Sequence, residues 1–390
     1  MSRFFLERAL PHIEGGTLVV RLPDGTERNF GSGRPVMLSI ESRALFRRLA
    51  TRGKIGFGES YQAGEWRSDD LVRLFELLLR NAESASERHP RLARALALRP
   101  SLRARNGLRA SRRNIAYHYD LGNNFFELFL DGSMTYSCAV FDRSDEPLAV
   151  AQRRKHEAIA DKLDLGPGDR LLEIGCGWGS FAIHAARERG AHVTALTISP
   201  AQARLARERV AAAGLADRIE ILEEDFRTHQ GRYSKIASIE MIEAIGERSL
   251  PTFFAACDRL LERGGIACIQ SILVPDPRYD RYRSTPDWIE RHVFPGCLIP
   301  SLTALTAAMT RSSRLQIHDV QEIGPHYAET LRRWRERFLA RIDDVRRLGY
   351  DGRFVRTWDF YLAYCEAAFR TRSLRNAQLV LTRPFNEGLR

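Results

Sequence analysis

The residues of this chain most suited to chemistry begin at Leu171-Leu172-Glu173-Ile174-Gly175-Cys176-Gly177-Trp178-Gly179, an apolar run that breaks into three glycines at alternate positions. Such a run reads as a buried strand ending in a tight turn that opens a helix near Ser180. Glycines in that turn let a ligand approach the backbone with no Cβ in the way. The pattern by itself also fits a dinucleotide site or a plain strand-to-helix turn. A GxGxxG register would need glycine at 180, where Ser180 stands. The following strand ends in Thr197-Ile198-Ser199-Pro200-Ala201-Gln202, without the acid that dinucleotide sites place there for the ribose hydroxyls. The six cysteines, Cys138, Cys176, Cys257, Cys268, Cys297 and Cys365, show no CxxC pairing and no Cys/His metal spacing. Small buried hydrophobes explain them better than a disulfide framework or a zinc site.

Positioning these residues requires a sheet. From about Asn114 onward, strand and helix patterns alternate, the signature of a doubly wound α/β fold. The strands read as Arg170–Ile174, His192–Thr197, Ile219–Glu224, Lys235–Glu240 and Gly265–Ser271, with a late pair near Leu315–Ile323 and Ala377–Thr382 closing one edge. Upstream, TLVVRLPDGTERNF is a hairpin turning at Pro23-Asp24-Gly25, and LVRLFELLL at Leu71–Leu79 is a helix apolar on more than one face. Together they predict a small α+β domain over residues 1–80. Between Arg80 and Arg113 stand ten arginines and only two acids, Glu83 and Glu87, with Pro90 and Pro100 interrupting any long helix. Residues 81–113 therefore read as a basic linker or arm, and 114–390 as the main domain. A length of 390 residues agrees with two cores.

Bulk properties exclude several classes. Apolar residues make up 44%, and no run of 18 apolar residues could cross a bilayer. The N-terminus, MSRFFLERALPHIEGG, lacks the unbroken apolar region of a signal peptide, so a cytoplasmic protein is expected. The net charge of +11 favours an anionic partner, nucleic acid or phospholipid headgroups. Nucleic acid is disfavoured, because no Asn/Asp-Pro-Pro-Tyr motif occurs and the arginines concentrate in the linker, away from the glycine turn.

The ExGxGxG form resembles motif I of class I S-adenosylmethionine (SAM) methyltransferases, and the Thr-x-Ser-x-x-Gln segment occurs in one family of them. Over roughly residues 114–385 the chain resembles the cyclopropane-fatty-acyl-phospholipid synthase and mycolic acid cyclopropane synthase family. Matching segments include Tyr119-Asp120-Leu121-Gly122-Asn123, Met134-Thr135-Tyr136-Ser137-Cys138 and Ser238-Ile239-Glu240-Met241-Ile242-Glu243. Others are Phe294-Pro295-Gly296, His326-Tyr327-Ala328-Glu329 and Tyr361-Leu362-Ala363-Tyr364-Cys365.

The resemblance implies a Rossmann-like class I fold and SAM as co-substrate. It places cofactor contacts at Tyr136, Ser137, Glu173, Gly175, Gly177, Gly179, Thr197, Ser199, Gln202, Asp225, Phe226 and Arg227, with Phe226 equally suited to a core. It implies methyl transfer to a cis double bond and a bound bicarbonate ion that takes the resulting proton, held at Cys138, Glu243, Gln270, Ile272 and Tyr327. Family members also carry an active-site thiol at the position of Cys365, which makes it a catalytic candidate, while its FYLAYCEAAF surroundings suit a buried structural cysteine. The N-terminal domain resembles that of the phospholipid-acting members, so the implied substrate is an unsaturated acyl phospholipid, met peripherally on the inner face of the membrane. A homodimer is compatible with this. Gln270, Ala244 and Cys297 depart from the family pattern of His, His and Gly. The resemblance implies ring closure to a cyclopropane fatty acid as the product, and the departures keep a methylene- or methyl-branched chain as the alternative. A lipid-binding protein without chemistry is the alternative from another class, against which intact Gly175, Gly177, Glu243 and Tyr327 count.

Overall fold

The computed structural model describes residues 13–88, 121–285 and 287–386. Most of the basic arm, residues 89–113, lies outside them, as do Tyr119 and Asp120. The chain forms two compact units. The first comprises 1–102, 281–293 and 331–373, and the second 103–280, 294–330 and 374–390. This differs from the contiguous division expected at 80 and 113. The first unit recruits distant segments because the helix Gly352–Arg370 has an apolar face that needs covering. It packs Phe360 against Phe75 at 4.8 Å, on the helix Leu71–Arg88, and its Asp359 accepts a hydrogen bond from Tyr61 at 2.7 Å.

In the first unit a four-stranded sheet runs in the order β2-β1-β3-β4, with β1 Gly16–Arg21, β2 Glu27–Ser32, β3 Pro35–Ile40 and β4 Trp66–Ser68. The expected hairpin is β1 and β2, paired antiparallel from Gly16↔Ser32 to Arg21↔Glu27. Strand β3 then joins β1 in parallel, a long-range pairing with no local signal.

The second unit is built on a seven-stranded sheet. Its strands are β5 Arg170–Ile174, β6 His192–Thr197, β7 Ile219–Glu223, β8 Tyr233–Ile239, β9 Leu261–Leu273, β10 Gln316–Glu322 and β11 Arg375–Thr382, in the order β10-β11-β9-β8-β5-β6-β7. The five strands from β9 to β7 in that order are parallel, and β11 and β10 close the edge antiparallel. Central strands buried on both faces explain the near-continuous apolar runs of the sequence. One face is covered by the helices Leu250–Leu260 and Leu302–Ser312, bringing Phe253, Leu260 and Leu305 into the core. The other is covered by the helices Leu148–Lys162, Ser180–Arg189 and Pro200–Ala212, bringing in Ile159, Phe181 and Ala206. Functional groups then collect at the carboxyl ends of β5, β6, β8 and β9, where such a sheet holds ligands. No helix among the described residues is long and apolar enough to cross a membrane.

Candidate active site

Strand β5 delivers Glu173 and Ile174 into a turn in which Gly175, Gly177 and Gly179 all have positive φ, at 85°, 53° and 79°. Their roles differ. A Cβ on Gly175 would lie 2.5 Å from the Met241 Cγ, so close packing requires that glycine. A Cβ on Gly177 would meet nothing within 4 Å, so the turn there opens onto free space. The amides of Gly175 and Cys176 both donate to the Leu196 carbonyl at 2.9 Å, which ties the turn to β6. Glu173 is buried, and its Oε2 has no hydrogen-bond partner in the protein. Burial pushes its carboxyl up to about 8, against the opposing pull of Lys155 and the Ala182 amide. An orphaned acidic oxygen two residues before a glycine turn with open space fits a ligand that carries a cationic group.

At the end of β6, Thr197, Ser199 and Gln202 form a closed hydrogen-bonded cap. Thr197 Oγ1 donates to Gln202 Oε1 at 2.8 Å and accepts from the Ser199 amide at 3.2 Å. Ser199 Oγ in turn accepts from the Gln202 amide at 3.3 Å, capping the helix Pro200–Ala212. After β7, the Asp225 carboxylate is held by the Arg227 guanidinium at 2.6 and 2.8 Å. Phe226, expected either beside the adenine or in the core, lies in the core, its ring 5.6 Å from Phe253. On the neighbouring loop, Tyr136 packs its ring 5.3 Å from Phe126, and Ser137 accepts a hydrogen bond from Lys155 at 2.9 Å.

The most densely bonded group of the site is one the sequence reading did not assign. Glu240 follows the last residue of β8 in a left-handed conformation, φ 50°, and its amide donates to the Gln270 carbonyl at 2.8 Å. Its carboxylate gathers four donors from four separate segments. Oε1 accepts from the Cys138 amide at 3.0 Å, Gln270 Nε2 at 2.8 Å and Asn376 Nδ2 at 2.6 Å. Oε2 accepts from the Tyr327 hydroxyl at 2.7 Å. Gln270 is held in register from behind, since its Oε1 accepts from Gln378 Nε2 at 3.1 Å.

Cys138, Gln270 and Tyr327 thus come together as the resemblance implies, but around a carboxylate of the chain itself and without Glu243. Glu243 lies on a single 3-10 turn, Ile242–Ala244, and its Oε1 accepts from the Ile272 amide at 2.5 Å and Ser271 Oγ at 3.0 Å. Its Oε2 is buried without a protein partner. Burial first, and the charge of Glu240 second, push its carboxyl up to about 8, so Glu243 is protonated at neutral pH. The expected unit of Glu243, Gln270 and Tyr327 is corrected accordingly: Ile272 pairs with Glu243, while Glu240 is the hub. The sequence signal for Glu240 is a charged residue at the carboxyl end of a buried parallel strand.

Cys365 belongs to the first unit, on the helix Gly352–Arg370, whereas the groups above belong to the second. Burial, with Asp287 adding to it, pushes its thiol far above the ordinary range, so it holds almost no thiolate at neutral pH. Trp288 likewise packs within the first unit, its ring 4.4 Å from Phe360.

Comparison with known proteins gives consistent results. The family model for mycolic acid cyclopropane synthetase matches residues 107–379. A tuberculostearic acid methyltransferase of Mycobacterium tuberculosis is 45% identical over 370 residues, 92% of this chain and 86% of the relative. The cyclopropane-fatty-acyl-phospholipid synthase of Escherichia coli strain K12 is 34% identical over 367 residues, 91% of this chain and 90% of the relative. Among solved structures, a mycolic acid cyclopropane synthase complexed with SAH and CTAB superposes with a TM-score of 0.65 at 30% identity, covering 70% of this chain and 98% of that one.

Proposed function

The chain belongs to the mycolic acid cyclopropane synthetase family, and from that premise we propose that it transfers a methyl group from SAM to the cis double bond of an unsaturated acyl chain in a phospholipid, yielding a methylene-branched chain, with Glu240 as the base. The single observation that carries this reading is the four-donor cradle closed around the Glu240 carboxylate. Three of the groups that the resemblance assigns to bicarbonate, Cys138, Gln270 and Tyr327, are engaged by the Glu240 carboxylate, and a fourth, the Ile272 amide, by Glu243, which supports a base built into the chain in place of bicarbonate.

SAM, when bound, supplies an electrophilic methyl group. The residues present suit it: the open turn at Gly177 admits a ligand against the backbone, and the orphaned Glu173 oxygen suits an amino group. The alkene is a weak nucleophile. Attack on the methyl leaves a secondary carbocation on the adjacent carbon of the acyl chain, which the site must shield from water. Loss of a proton from the transferred methyl with bond formation to that carbon closes a ring. A hydride shift first gives the more stable tertiary cation on the methylated carbon, and loss of a proton from the same methyl then leaves a methylene branch on the open chain. In either case one proton must reach a base.

On Glu240, Oε1 already accepts three hydrogen bonds and Oε2 accepts one, so Oε2 retains acceptor capacity and is the atom assigned to the proton. Tyr327 holds it in place, and three donors on Oε1 fix its direction. The 45% identity to a tuberculostearic acid methyltransferase supports branching over ring closure. The test is expression in a host that lacks such enzymes, with mass spectrometry and proton NMR of the membrane fatty acids. Gain of one methylene with vinylidene protons supports the reading. Upfield ring protons would assign ring closure instead, and no gain would remove the lipid reaction altogether.

A further inference from the structure

Lys155 is a buried cation that the mechanism above does not use. It projects from the helix Leu148–Lys162, is 1% exposed, and its Nζ donates to Ser137 Oγ at 2.9 Å. Among the described residues no carboxylate lies within ion-pair distance of it, and the acids that act on it, Glu240, Glu173 and Asp131, do so from further away. Burial pushes its ammonium down to about 8. One turn earlier on the same helix, fully buried Gln152 donates to the Ser137 carbonyl at 2.9 Å. On the far side of Cys138, the Ala139 amide donates to Thr330 Oγ1 at 3.1 Å. Cys138 is therefore pinned on both sides, and its amide is aimed at Glu240 Oε1, 3.0 Å away. Stability does not explain the choice of lysine, because an apolar side chain of similar length would fill the space without burying a charge that has no carboxylate at ion-pair distance.

We infer that Lys155 is a positioning residue: through Ser137 it fixes the Cys138 amide against Glu240, and so sets where the proton-accepting Oε2 stands. The inference rests on the assignment of Glu240 as the base. It separates activity from stability, which a merely structural lysine cannot do. The full chain is assayed for methyl transfer from labelled SAM to vesicles of an unsaturated phosphatidylglycerol, with Lys155→Met, Lys155→Gln, Ser137→Ala, the Lys155→Met/Ser137→Ala double variant and Glu240→Gln in parallel. Lys155→Met is expected to lower kcat on the order of 10²-fold, the scale of a small misplacement of a reacting group, while KM for SAM stays within about threefold. Its melting temperature should not fall. Lys155→Gln, which keeps a donor for Ser137, should recover part of the loss, and the double variant should be no worse than the poorer single one, because both act through one contact. Full activity in Lys155→Met alongside an impaired Glu240→Gln overturns this inference alone. Full activity in Glu240→Gln overturns the parent assignment and this inference with it. Additive losses, a loss confined to KM, or a melting temperature that falls in step with turnover also overturn it.

Discussion

Replacing Glu240 with Gln tests the built-in base most directly, because the change alters two atoms' chemistry and almost no volume. Oε1 faces three N–H donors, so the amide oxygen must take that position and the amide nitrogen must replace Oε2. The Tyr327 hydroxyl can rotate to accept from that nitrogen, having previously donated to the oxygen at 2.7 Å. The cradle survives and the proton acceptor is gone. Loss of a general base lowers turnover about 10²- to 10⁴-fold, which is about 2.7–5.4 kcal/mol of barrier. Affinity for SAM should stay within a few-fold, since the glycine turn is untouched. The assay is release of labelled product from SAM with unsaturated phospholipid vesicles at saturating SAM. Glu240→Gly provides the complementary arm. The left-handed φ of 50° suits glycine, so the backbone should tolerate the change and leave an empty four-donor slot. Added bicarbonate or formate should then restore part of the activity of Glu240→Gly, while bicarbonate depletion should leave the wild type unaffected. Turnover of Glu240→Gln within about threefold of wild type, or a wild type that depends on bicarbonate, would refute the assignment.

Three further outcomes follow from the same geometry. Glu243→Gln should lower turnover only a few-fold, because the neutral carboxyl it replaces is already protonated; it should also flatten the pH dependence of stability. The sign is fixed by the direction of the shift: a carboxyl raised from 4.5 to about 8 contributes stability that is fully present below pH 4.5 and is lost as pH rises from there through 8, so melting temperatures between pH 5 and 8 should fall more in the wild type than in the variant. Gly177→Val should abolish SAM binding in a calorimetric titration while circular dichroism reports an intact fold, since its side chain would occupy the open space over the turn at a positive φ; unchanged affinity would remove the cofactor assignment. Binding to anionic vesicles should weaken steeply with added salt, each arginine of the 80–113 stretch contributing on the order of 1 kcal/mol near the surface, and co-sedimentation indifferent to salt would count against membrane recruitment by that arm.

Local pattern alone determined much of this protein. Alternating strand and helix periods mark out the parallel core from β5 to β9, and the late pair at 316–322 and 375–382 is legible as an edge addition. The glycine turn is legible too, because a strand that must bend sharply beside a ligand leaves few residue choices at Gly175 and Gly177. Cys138, Gln270 and Tyr327 are reachable from the sequence through the family resemblance alone, and the fold brings the three to one carboxylate. What the pattern did not contain is which acid they serve. Glu240 and Glu243 are three positions apart in one motif, and only tertiary structure separates them. The left-handed turn at Glu240 swings its carboxylate into donors drawn from residues 138, 270, 327 and 376, while the 3-10 turn that follows buries Glu243 against the Ile272 amide. The same limit applies to the division of the chain. Composition marks the basic stretch near 81–113, yet residues 281–293 and 331–373 join the first unit because the apolar face of Gly352–Arg370 finds its partners there. Periodicity reports that a face must be buried, and a backbone pattern reports where a turn must fall. Which distant groups cover that face or fill that turn depends on contacts between residues far apart in sequence, and those are fixed only when the chain folds.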